Sequence, residues 1–80
     1  MPVVVRVAGF RLFFYANEGQ PREPVHVHVE RGDGEAKFWI NPDVRVAYND
    51  GMDAKALREA LELVEANRER IEQAWHEFFR

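Results

Sequence analysis

The sequence predicts an α+β domain: an antiparallel β-meander of three to five strands packed against one long C-terminal helix, either straight or kinked. Two observations carry that expectation. Apolar residues tend to alternate before Gly51 and recur every three or four positions after it. The connections between the strand-like runs are also too short for the dozen or more residues of a parallel crossover. All 80 residues read as a single domain, with the sheet in 1–50 and the helix in 53–79.

Val3-Val4-Val5-Arg6-Val7 opens as a β-rich run, and Gly9 marks a bend or bulge before a second run, Phe10 to Ala16. A polar loop punctuated by Pro21 and Pro24 follows, longer than a minimal hairpin needs. Val25 to Glu30 is the clearest strand: Val25, Val27 and Val29 on one face, His26, His28 and Glu30 on the other. Gly32-Asp33-Gly34 signals a turn, after which Glu35 to Ile40 alternates again. A turn at Asp33-Gly34 pairs Glu30 with Lys37 and His28 with Trp39. One at Gly32-Asp33 opposes Glu30 and Glu35, two like charges, so the first register is preferred. Either register leaves His26, His28, Glu30, Lys37 and Trp39 on one face.

After the Asn41-Pro42-Asp43 turn, Val44, Val46 and Tyr48 are expected to face Ile40, Phe38 and Ala36. Asp53 is a natural N-cap for the final segment. There Leu57, Ala60, Leu61, Val64, Ile71, Ala74, Trp75 and Phe78 form one stripe that Asn67 interrupts. A straight helix over 54–79 would span about 39 Å, against about 30 Å for a compact domain of this size. Either the helix breaks near Asn67 or a second subunit covers Trp75, Phe78 and Phe79. Exposing those three rings together is costly, which favours the subunit interface.

Composition removes several classes of function. Eleven Lys+Arg against fourteen Asp+Glu give a net charge of -3. Residues 1–50 carry six basic and seven acidic side chains, and 51–80 carry five and seven, so neither part offers the basic surface that nucleic acid requires. No apolar run approaches a membrane span, and no secretory leader is evident, so a cytoplasmic location is expected. Cysteine, serine and threonine are all absent, which excludes disulfides and the usual small-residue nucleophiles.

What chemistry the sequence offers lies on the His26-Val27-His28 strand. Imidazoles at i and i+2 project the same way, so both could reach one divalent metal, with Glu30 or the loop residue Glu18 completing the set. The same residues could serve as general acid or base. Lys37 and Trp39 are candidate binding residues on that face. The plain alternative is a polar sheet face packed on Trp39. Histidine-triad nucleotide hydrolases also carry alternating histidines, but Glu30 stands where a third would fall.

Several stretches together resemble one family. They are Gly9-Phe10-Arg11-Leu12-Phe13-Phe14-Tyr15-Ala16-Asn17-Glu18, Pro24-Val25-His26-Val27-His28-Val29, Gly32-Asp33-Gly34-Glu35-Ala36-Lys37-Phe38-Trp39, and the ending Ala74-Trp75-His76-Glu77-Phe78-Phe79. The chain resembles a family of small, mostly bacterial proteins catalogued as a domain of unknown function (the DUF family numbered 4160). Members often read Pro-His where Val25 here separates Pro24 from His26. The resemblance implies a component of a two-gene, toxin–antitoxin-like unit, and brings no catalytic residues with it. The expected function is therefore a binding or regulatory module, acting on the product of a neighbouring gene or on a second copy of itself. The alternative is a metal- or histidine-dependent hydrolase or nuclease using His26, His28 and Glu30.

Overall fold

The computed structural model describes residues 3–18 and 23–80. Five antiparallel strands lie in chain order, β1 (Val3–Val7), β2 (Phe10–Phe13), β3 (His26–Arg31), β4 (Gly34–Trp39) and β5 (Arg45–Asp50). A short 3-10 turn, Ala16–Glu18, follows β2, and two helices complete the chain, α1 (Ala54–Ala66) and α2 (Arg68–Phe78). The α+β meander is as the sequence predicts. The single long helix is not.

The helix breaks at Asn67, whose side-chain amide donates to the Leu63 carbonyl at 2.8 Å and so competes with the helical ladder. Arg68 then ties the start of α2 to the β4–β5 turn, donating to Asn41 Oδ1 at 3.0 Å and to the Pro42 carbonyl at 2.6 Å. The break also solves the length problem, since a straight helix of about 39 Å would exceed the longest dimension of the molecule, 34 Å. Asp53 caps α1 as expected, its Oδ1 accepting from the Ala56 amide at 2.8 Å.

One face of the sheet carries Phe10, Leu12, Phe14, Val27, Val29, Ala36, Phe38 and Ile40. The helices bury Ala60, Val64, Ile71 and Trp75 against it, with Phe79 at the end. Ile71 and Trp75 keep to the stripe, and Phe79, four residues after Trp75 and at the C-cap of α2, faces the core where Phe78 does not. Trp75 is 1% exposed and Phe79 9%, so two of the three proposed interface rings are covered within the chain. Of the three, Phe78 keeps its ring exposed, at 42%.

The β1–β2 hairpin turns on Ala8-Gly9, both in the left-handed region at φ 52° and 80°. Two residues with positive φ make the tight turn that suits right-twisted strands. Gly9 thus belongs to a hairpin turn and not to a bulge, and the second run ends as strand at Phe13.

The β3–β4 register corrects the preferred pairing. Arg31 pairs with Gly34, Glu30 with Glu35, His28 with Lys37, Val27 with Phe38 and His26 with Trp39. The turn is Gly32-Asp33, with Gly32 at φ 59° supplying the positive φ such a loop needs at its first position. Like-charge repulsion fails to forbid it because each carboxylate is held from the far side. Glu30 pairs with Arg11 at 2.8 Å, and Glu35 accepts from two tyrosines.

The β4–β5 pairing is also shifted. Val46 lies opposite Phe38 as expected, but Tyr48 lies opposite Lys37, because Ala47 is an extra residue in the ladder. The bulge carries Tyr48 to the face opposite the helices.

Candidate functional site

The face turned away from the helices gathers the side chains in which the sequence placed its chemistry. On β2 the alternation sends Arg11 and Phe13 to this face, and Tyr15 just beyond continues it. β3 contributes His26, His28 and Glu30, β4 contributes Glu35, Lys37 and Trp39, and β5 adds Tyr48 through its bulge.

The two imidazoles do emerge from the same side of β3, with ring centroids 5.4 Å apart and nearly perpendicular. They are not open to solvent: His26 is 0% and His28 1% exposed. His26 sits between two indoles, 5.6 Å from Trp39 and 4.7 Å from Trp75, which reaches it from α2. Its Nδ1 donates to the Pro24 carbonyl at 2.9 Å, because a carbonyl can only accept. In the neutral ring that fixes Nε2 as the acceptor.

His28 has a different shell. Tyr15 meets it edge-on at 4.5 Å, Phe13 stacks at 5.7 Å and Tyr48 lies at 6.2 Å. Its Nδ1 is 3.3 Å from the Tyr48 hydroxyl and 3.4 Å from Glu35 Oε2. Glu35 ties the group together, accepting from Tyr15 at 2.9 Å and from Tyr48 at 3.0 Å. A buried polar ring is tolerated only when its nitrogens are satisfied, and this network does so for Nδ1 of His28.

The remaining predicted residues are placed as follows. Glu30 is turned to Arg11, 2.8 Å away. The carboxylate beside His28 is that of Glu35. Lys37 reaches Glu23 at 2.9 Å and lies 4.4 Å over the Trp39 ring. Glu18 closes the 3-10 turn, and its side chain lies outside the described residues. Among those residues no three His, Asp or Glu side chains converge as metal ligands. The geometry therefore does not assemble the His26–His28–Glu30 set, although it keeps the two imidazoles adjacent.

Tyr15, Glu35 and Tyr48 complete the cluster, none of them a candidate site residue in the sequence. Tyr15 was legible, since it continues the alternation of Arg11 and Phe13. Glu35 needed the other register, and Tyr48 needed the bulge. A cavity of about 420 Å³ lies elsewhere, lined by Arg31, Asp33, Met52, Asp53, Lys55 and Glu59, between the β3–β4 turn and the start of α1. Another of about 470 Å³ lies at the helix break. Neither is lined by a histidine.

Among the described residues, no helix is long and apolar enough to cross a membrane. Comparison with known families finds a match, over residues 9–76, to a family described as a domain of unknown function, DUF4160. No curated protein and no solved structure matches the chain.

Proposed function

The chain belongs to the DUF4160 family, and from that premise we propose that it is a cytoplasmic binding or regulatory module that acts through protein–protein association. The observation that carries the reading is the contrast between two surfaces. The histidine face is sealed by aromatic rings at its centre. The edge strand β5, in contrast, exposes Val46 (41%) and Tyr48 (42%) beside a backbone with no neighbour on one side among the described residues. An open strand edge with apolar side chains is the usual template for strand addition by a partner. Phe78 adds a second exposed ring on the helix layer.

In this reading the partner is the product of a neighbouring gene or a second copy of the chain, as in a two-gene, toxin–antitoxin-like unit. The test is co-expression with the adjacent open reading frame, followed by native mass spectrometry of the purified product. A defined complex that Val46→Lys weakens supports the reading. A lone monomer with no complex at any concentration overturns it.

A second reading, a metal- or histidine-dependent hydrolase or nuclease, has one observation in its favour. Each imidazole presents its Nδ1 to an oxygen, a carbonyl for His26 and a carboxylate for His28. Such oxygens commonly orient metal-bound histidines. Titration calorimetry with Zn²⁺, Mn²⁺ or Ni²⁺ decides it: binding lost in His26→Ala and His28→Ala sustains it, and no heat of binding removes it.

A further inference from the structure

We infer that two copies of the domain join edge to edge along β5, antiparallel, with Arg45 of each copy set against Asp50 of the other. This rests on the association reading above and names its partner and register.

The first support is a row of charges across the sheet. Arg11, Glu30, Glu35 and Asp50 occupy successive positions on β2, β3, β4 and β5. Three carboxylates side by side are unfavourable unless cations flank them. Arg11 does so at one end, 2.8 Å from Glu30, and the tyrosine hydroxyls satisfy Glu35 in the middle. At the other end stands Asp50, exposed on the edge strand, with no cation paired to it among the described residues. A positive group arriving from beyond β5 would complete the row.

The strand carries that group itself. In an antiparallel pairing of Arg45-Val46-Ala47-Tyr48-Asn49-Asp50 with its own copy, Arg45 opposes Asp50, Val46 opposes Asn49 and Ala47 opposes Tyr48. The bulge at Ala47 makes this register consistent in its faces. Arg45 and Asp50 lie opposite Trp39 and Glu35, on the histidine face, while Val46 and Asn49 lie opposite Phe38 and Ala36, on the helix face. Without the extra residue, positions 45 and 50 would fall on opposite faces. A slip of one residue sets histidine-face side chains against helix-face ones.

At the centre, each exposed Tyr48 ring is covered by lying over the small, half-buried Ala47 of the other copy. The interface is isologous, so it closes at two copies and does not propagate. One strand a side makes a small contact, and the dimer belongs to the weak class.

Sedimentation velocity on the full chain from about 1 to 500 µM reads the prediction directly. Wild type should show a monomer–dimer equilibrium. Arg45→Asp and Asp50→Arg should each raise the dissociation constant by about tenfold or more, and the combined swap should return it to within about threefold of wild type. Both residues are exposed, and circular dichroism confirms that the fold is kept in each variant. A monomer throughout, or a dimer indifferent to both single changes, overturns the inference. If the monomer still forms a defined complex with the neighbouring gene's product, self-pairing alone fails. If it forms none, the association reading falls with it.

Discussion

Glu35 takes hydrogen bonds from two phenols, Tyr15 just after β2 and Tyr48 on β5, and stands beside the His28 ring. Removing it strands a buried polar cluster, so Glu35→Ala should lower stability by about 2 kcal/mol in urea unfolding. Glu30→Ala breaks an ion pair that water already reaches and should cost less than about 1 kcal/mol. If the two variants unfold alike, Glu35 does not hold the cluster. Ala8 offers the opposite case, a non-glycine residue at φ 52° in a tight turn. Asparagine tolerates that region better and forms the favoured Asn-Gly pair with Gly9. Ala8→Asn should therefore raise stability by about 0.5–1 kcal/mol, read from the urea midpoint. The choice between Glu30 and Glu35 was not legible from β3 and β4 alone. Their partners, Arg11, Tyr15 and Tyr48, come from elements outside that hairpin, where a pairwise charge rule does not look.

Strand existence was plain from the alternation of Val25 to Glu30 and Glu35 to Ile40, and so was the shared face of His26 and His28. Register was not, because it turns on one residue of loop. Position 34 shows what decides it in three dimensions. A Cβ there would lie 2.8 Å from Met52 Cγ and 3.1 Å from both the Gly51 carbonyl carbon and the Met52 nitrogen. Gly34 thus lets the segment before α1 cross against β4. Gly34→Ala should cost about 1–3 kcal/mol in thermal or urea unfolding, since backbone must move to admit the methyl group. An unchanged midpoint would mean that the crossing segment yields freely. The bulge at Ala47 left no mark in the sequence, since Val-Ala-Tyr reads equally well as regular strand. The helix break left one, as Asn67 stood where the apolar stripe called for a hydrophobic residue.

For the molecule as a whole, the aromatic end of α2 decides how the two layers are closed. Trp75 meets Phe14 edge-on at 5.4 Å, Phe79 at 4.1 Å and His26 at 4.7 Å, so it joins the core to the histidine face. Trp75→Ala should cost about 3–5 kcal/mol, a large share of what a domain this small possesses. Phe78→Ala, at an exposed ring, should leave the melting temperature within a few degrees. Equal losses for the two would place Phe78 in the core as well. The sequence could not tell Phe78 from Phe79, because both follow Trp75 at helical spacing and the helix ends between them. One consequence of the strand order remains. Each strand is bonded to the one before it in the chain, so every pairing closes a short loop and assembly should be fast. A ribosome-bound chain can build its hairpins one after another as they emerge. Their greasy side then waits for the last segment to be translated, and that interval is when a chaperone or a protease has its opening.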